Sequence, residues 1–189
     1  MEFNTRGYSL TSLLKYVREG LDPNLRDRTL AKVPPEIIKV CETAKPTEWY
    51  PASHTFAFYD ALIEACNRDP ALVEESLIGV GKFTAQEATN SFLRLLMKVL
   101  TPTLFAKKLP SLYERDNTRG KVSVEVEEDR LVLHVEDVKG FQHVGMVSAG
   151  WVIFALESMG KKLSERKVSG WSLDDPEVSS VTVEMRWRT

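Results

Sequence analysis

The chain has few of the residues that announce a chemistry. Its two cysteines, Cys41 and Cys66, lie far apart inside helical patterns, which argues against a disulfide framework and fits free, buried thiols in a reducing cytoplasm. The start, MEFNTRGYSL, lacks the basic segment and apolar run of a secretory signal. No stretch reaches the roughly 18–20 apolar residues that a membrane-spanning helix needs. Lysine and arginine (25) nearly balance aspartate and glutamate (27), so no basic excess points to nucleic acid. The local basic cluster Lys161, Lys162, Arg166 and Lys167 is interrupted by Glu165 and reads as a solvated face. The three histidines, His54, His134 and His143, show no metal-binding spacing with one another or with the cysteines. Neither a repeat nor a low-complexity tract is present.

What the chain does have is a change of period. With 189 residues, 43% of them hydrophobic, it is long enough to bury a core as one domain, 1–189. Residues 1–120 are mainly helical. SLTSLLKYVREGL opens on Ser9 as a candidate N-cap and repeats Leu10, Leu13, Leu14 and Val17 at helical spacing. A second helix begins at Pro35, and Trp49-Tyr50-Pro51 forms an aromatic turn into a helix capped near Ser53. Asp69-Pro70 starts a helix that runs to about Lys82, and Thr84 with Glu87 makes a capping box for SFLRLLMKVL. Thr101-Pro102 starts another, which Pro110 is expected to break.

Residues 121–189 read as ββαββ. KVSVEVEEDRLVLHVE alternates Val122, Val124 and Val126, turns through 127–130 and returns with Leu131, Leu133 and Val135. The closing strand alternates Val181, Val183, Met185 and Trp187 with polar residues, and a strand near 165–171 pairs with it. Between these hairpins, Met146–Leu156 carries no charge, so it is a helix that must be covered on several sides. The fold class is therefore α+β: an N-terminal helical layer on a four-stranded antiparallel sheet, with a buried helix between the two hairpins.

Apparent catalytic motifs fail on inspection. A nucleophile elbow around Ser148 needs glycine where Met146 stands, and GVGKFT lacks both the leading glycine of a phosphate loop and its Ser or Thr after Lys82. The run Asp174-Asp175-Pro176-Glu177 reads as a solvated turn. No triad or paired carboxylates emerge, so the chain is expected not to be an enzyme.

Taken in order, RGYSLTSLLKYVREG, LAKVPPEIIK, EWYP, FYDALIEA and GW…DDPEVSSVTVEMRW resemble a paralogous myxobacterial family of unknown function. That family is similar in turn to a wider group: 4-vinyl reductase-type sensors, TRAPP vesicle-tethering subunits and haem-nitric-oxide binding domains. The resemblance implies helices against a four-stranded antiparallel sheet, with an apolar pocket between the layers. Where a Gly-Asp-Pro-x-Cys element would carry cysteine, this chain has Val178, and its Tyr113 region does not form the Tyr-x-Ser-x-Arg haem clamp. No metal or cofactor is therefore expected.

The leading expectation is a cytoplasmic regulatory domain that binds a small apolar ligand and relays this to a protein partner. The pocket would be lined by the inward-facing Phe56, Tyr59, Phe92, Leu96, Trp151, Phe154 and Met185. One alternative is a ligand-free interaction or homodimerisation module like the tethering subunits. A third is a haem-based gas sensor.

Overall fold

The computed structural model describes residues 3–89 and 97–188. The chain begins with β1 (Asn4–Arg6), α1 (Gly7–Glu19), α2 (Pro23–Leu30), α3 (Pro35–Thr43) and β2 (Trp49–Pro51). It continues through α4 (Ser53–Ala65), α5 (Pro70–Ala88) and α6 (Pro102–Asp116), then β3 (Lys121–Val126) and β4 (Arg130–Glu136). The last elements are α7 (His143–Ser158), β5 (Lys162–Ser169) and β6 (Ser180–Arg188). The architecture is the expected α+β one. β3, β4, β6 and β5 lie in that order in one antiparallel sheet, and α7 runs between its two hairpins.

The sheet follows from period-two alternation. Val181, Val183, Met185 and Trp187 of β6 are all buried, while Thr182, Glu184 and Arg186 between them are half-buried. Leu131, Leu133 and Val135 of β4 sit opposite Met185, Val183 and Val181, so the apolar faces of both central strands coincide. Above them, α7 buries a broad face that includes Met146, Ala149, Val152 and Leu156, and leaves Val147, Trp151 and Phe154 half-buried. Its small residues let neighbours come close. A Cβ at Gly145 would stand 2.7 Å from Val181 Cβ, and one at Gly150 would stand 2.8 Å from Lys82 N and 2.9 Å from Gly81 Cα in α5. Thus α7 is gripped between the Val181 side chain of β6 and the backbone of α5.

Several local expectations need correction. The residues expected to form an aromatic turn, Trp49–Pro51, are β2, which pairs with β1 in a separate two-stranded sheet. That pairing moves the start of α1 forward to Gly7, so Ser9 is not its N-cap. The first free amides are taken by backbone instead, with Gly7 N donating to Glu48 O (2.9 Å) and Tyr8 N to Pro46 O (3.2 Å). Ser53 opens α4 without capping it.

The capping box at Thr84 does not form either, because α5 runs on to Ala88. The Thr84 hydroxyl turns back onto Val80 O (2.8 Å), and Glu87 pairs with Lys15 (2.6 Å). Pro110 does not break α6: Leu109 and Tyr113, both buried, hold the helix to the body on either side of it. By contrast, Asp69 and Pro70 begin α5 as expected, the carboxylate accepting from Leu72 N (2.9 Å). The expected helix SFLRLLMKVL falls largely outside the described residues. Among those described, no helix is long and apolar enough to cross a membrane, and Cys41 and Cys66 are buried and free.

Candidate functional site

Where the helical layer meets α7, packing is incomplete. A cavity of about 100 Å³ lies there, bounded by Phe3 and Tyr8 from the N-terminal segment and by Thr55, Phe56 and Tyr59 from α4. Val80 and Thr84 of α5, Leu109 and Tyr113 of α6, and Val144, Val147, Ser148 and Trp151 of α7 complete the wall. Phe56 anchors an aromatic cluster, its ring centroid 5.5 Å from Phe3, 6.3 Å from Tyr59 and 6.1 Å from Phe141.

One side of the wall is charged, and its charges are satisfied. Asp116, 8% exposed at the end of α6, accepts from Tyr8 Oη (2.7 Å), Arg115 Nε (2.9 Å) and Arg115 Nη2 (2.8 Å). Arg6 Nε donates to Arg115 O (3.2 Å), tying β1 to the same end of α6. Burial, and then the Asp116 charge, raise the Tyr8 phenol far above its ordinary value, so it stays a donor. Beyond this cluster lies an open groove of about 610 Å³ that shares Tyr8, Arg115 and Asp116 with the cavity. The cluster is therefore the partition between the two.

One buried polar group beside the cavity is not satisfied. Thr55 is 7% exposed and its hydroxyl has no hydrogen-bond partner. Such orphans are uncommon in folded proteins and call for an explanation.

A third hollow, about 470 Å³, lies against the far side of Phe56 and Tyr59 and is bordered by Arg68, Gln142, His143 and Asp174. There Trp171 Nε1 donates to His143 Nδ1 (3.3 Å), which leaves the imidazole proton on Nε2. Burial, with a smaller contribution from the Arg68 charge, lowers the His143 pKa to about 4.

Of the residues expected to line a pocket, Phe56, Tyr59 and Trp151 do meet at the cavity. Phe154 lies further along α7, half-buried and off the wall, and Met185 is fully buried in the sheet core opposite Leu131. Phe92 and Leu96 lie outside the described residues. The sequence reading passed over Phe3, Tyr8, Thr55 and the Arg115-Asp116 pair. Ser148, weighed as a nucleophile, is on the cavity wall in the middle of α7, and no histidine lines that wall among the described residues. Nor does any group of three His, Cys, Asp or Glu among them come together to hold a metal.

No family model matches the chain, and no curated protein matches it. Solved structures do. An Fe(II) unliganded H-NOX (haem-nitric-oxide binding) protein from K. algicida superposes with TM-score 0.68 at 13% identity, covering 97% of each chain. An oxygen-binding H-NOX domain related to soluble guanylate cyclases, in its oxygen complex, gives TM-score 0.63 at 11% identity, over 97% of this chain and 95% of that one. An Fe(II) H-NOX protein from S. oneidensis gives 0.66 at 10% identity, over 97% and 96%. The chain shares their fold. The likeness is one of fold, to the haem-nitric-oxide binding domains named above. The myxobacterial likeness rests on the quoted sequence stretches alone.

An H-NOX-like fold raises the question of haem, and the residues answer against it. Neither cysteine and none of the three histidines lines the cavity. The sequence of residues 90–96, NSFLRLL, offers no histidine or cysteine either. The tyrosines on the wall are poor ligands. Burial raises Tyr8, Tyr59 and Tyr113 well above the ordinary phenol range, and Tyr8 and Tyr113 already donate to Asp116 and to Arg119 O (3.0 Å). The volume is also far too small. At about 100 Å³ it falls short even of the roughly 150 Å³ that admits benzene.

Proposed function

We propose that this chain is a non-enzymatic, cytoplasmic sensor domain that uses an H-NOX-like fold to bind a small apolar molecule in place of haem, and that filling the cavity alters its contacts with a protein partner. One observation carries this reading: an aromatic-lined cavity between the helical layer and α7. Its floor is α7, which packs directly on the sheet, and its opposite wall is α6 and the N-terminal segment. A bound molecule therefore touches both layers at once. The partner form, whether another protein or a second copy of this chain, follows from what reads that change.

A haem-based gas sensor is the second reading, and the specific observation favouring it is the fold likeness to H-NOX structures over 97% of the chain. The donor set opposes it. Two measurements on one purified sample separate the readings: native followed by denaturing mass spectrometry, and an absorption scan before and after adding haemin. The proposal expects a small co-purifying mass, or one acquired from added ligand, and no Soret band of a ligated haem. A stoichiometric Soret band with tight haemin binding would overturn it in favour of the gas sensor.

A further inference from the structure

We infer that the ligand of this cavity is an uncharged molecule whose apolar body carries a hydrogen-bond acceptor, a carbonyl or ether oxygen, and that the Tyr59 hydroxyl selects it by donating to that oxygen. This rests on the ligand-binding reading just proposed. Burial, an unused donor and the side on which that donor emerges carry the inference.

Tyr59 is 4% exposed and belongs to the cavity wall. The Thr55 oxygen is unpartnered but sealed in, beyond the reach of an occupant. The Tyr59 oxygen likewise has no hydrogen-bond partner among the described residues, yet it is not one of the sealed atoms, so it keeps surface that an occupant can touch. The other phenols on the wall are spent, Tyr8 on Asp116 (2.7 Å) and Tyr113 on Arg119 O (3.0 Å). Ser148 and Trp151, also polar and on the wall, are half-buried, so water can serve them.

The ring of Tyr59 borders the third hollow as well, so the direction of its oxygen matters. Besides burial, the group that perturbs its ionisation is Tyr113, which lines the cavity and not the hollow. Asp60, Arg68, His143 and Asp174 border the hollow and exert no such influence, which puts the oxygen on the cavity side. Burial raises this phenol far above its ordinary value, so it stays a proton donor. A buried donor without an acceptor is a standing penalty that an acceptor oxygen in the cavity removes. Charge excludes ions. Arg115 and Asp116 make two hydrogen bonds to each other, so an ionic ligand would lose its hydration and find no free counter-charge. The apolar body rests against Phe56, Leu109 and Val144.

The test titrates 2-butanone and, separately, dissolved xenon into the intact protein and follows methyl NMR resonances of the lining residues Val80, Val122, Val144 and Val147. Both probes should shift these methyls. Tyr59→Phe, the same ring without the hydroxyl, should weaken 2-butanone roughly 3- to 10-fold, the worth of one hydrogen bond, and leave xenon unchanged. Tyr113→Phe should leave both probes as in the parent. Unchanged 2-butanone binding in Tyr59→Phe, or equal weakening in the two variants, overturns the assignment of Tyr59 while the cavity reading stands. Should Tyr59→Phe fail to fold, the parent still decides. With ¹³C at the tyrosine Cζ positions, the Tyr59 signal should move more with 2-butanone than with xenon, and a response no larger than xenon's overturns the assignment. If neither probe shifts the lining methyls, this inference and the ligand-binding reading fall together.

Discussion

Replacing Gly150 with alanine tests the account of how α7 is held. A Cβ there would collide first with Ile78 O, and would stand 2.8 Å from Lys82 N and 2.9 Å from Gly81 Cα, whereas favourable contacts begin near 3.5 Å. The obstacle is helix backbone, so no side chain can rotate away. Helices α5 and α7 would have to separate by roughly 0.5–1 Å, which forfeits about a quarter to a half of the dispersion attraction of each contact along the pair. Overpacking of this kind costs about 1–3 kcal/mol, and the loosened contacts between apolar side chains add to it. Alanine returns about 1 kcal/mol through helix propensity. A net loss of about 1–2 kcal/mol follows, which for a domain of this length lowers the melting temperature by roughly 2–8 °C. Gly81→Ala should cost a similar amount from the opposite side of the contact. The double variant should cost less than the sum, because one separation of the helices serves both methyls. Thermal and urea unfolding followed by circular dichroism measure all three. Single variants within 1 °C of the parent, or strictly additive costs, would refute the backbone-contact argument.

Three further outcomes are expected. His143 is held neutral by burial, with a pKa near 4 in the folded protein against about 6.5 unfolded. The unfolded chain therefore binds the extra proton first, so this contribution to stability is complete above about pH 6.5 and is lost as the pH falls towards 4. His143→Gln should flatten the stability profile across that window, and an unchanged slope would reject the assignment. Thr55→Val removes a buried hydroxyl that has no partner, so the ligand-free variant should be more stable than the parent by about 1 kcal/mol, read from urea midpoints. Cys41 is 1% exposed and burial pushes its thiol up to about 11, while Cys66 is 1% exposed and raised by the same cause. Both should resist iodoacetamide in the native protein and react in urea; rapid native alkylation of either would contradict the packing.

The sheet and the buried helix were readable from the sequence because their signals are global. Val181 to Trp187 alternate without a break, and Met146–Leu156 carries no charge at all. The N-terminal local structure was less readable because tertiary partners override local preference. Ser9 resembles a cap, yet Glu48 O and Pro46 O supply what a cap would. Thr84 resembles a helix start, yet its hydroxyl can bond backward within a longer helix. The helix α2 did carry a legible start, Asp22-Pro23, the same pair that opens α5, and it was passed over. The cavity was half visible. Inward aromatics can be counted from periodicity, which found Phe56, Tyr59 and Trp151. Residues that face a void and residues that fill the core share the same pattern, so Met185 could not be told apart from them. Thr55 is a more general difficulty, since nothing in a sequence marks a hydroxyl as unpaired.

The grip on α7 has a mechanical consequence. With Gly145 seated on Val181 and Gly150 on Gly81, the helix, the strand beneath it and α5 form an anvil that cannot give way when something enters the cavity. Displacement is left to the opposite wall, where β1 and α1 are joined to the end of α6 by polar links, Arg6 to Arg115 O and Tyr8 to Asp116 among them. Arg6 also stacks on the ring of Trp49, 3.8 Å from its centroid, and Trp49 is 41% exposed. A push delivered inside the molecule would thus be read at an aromatic side chain on its surface.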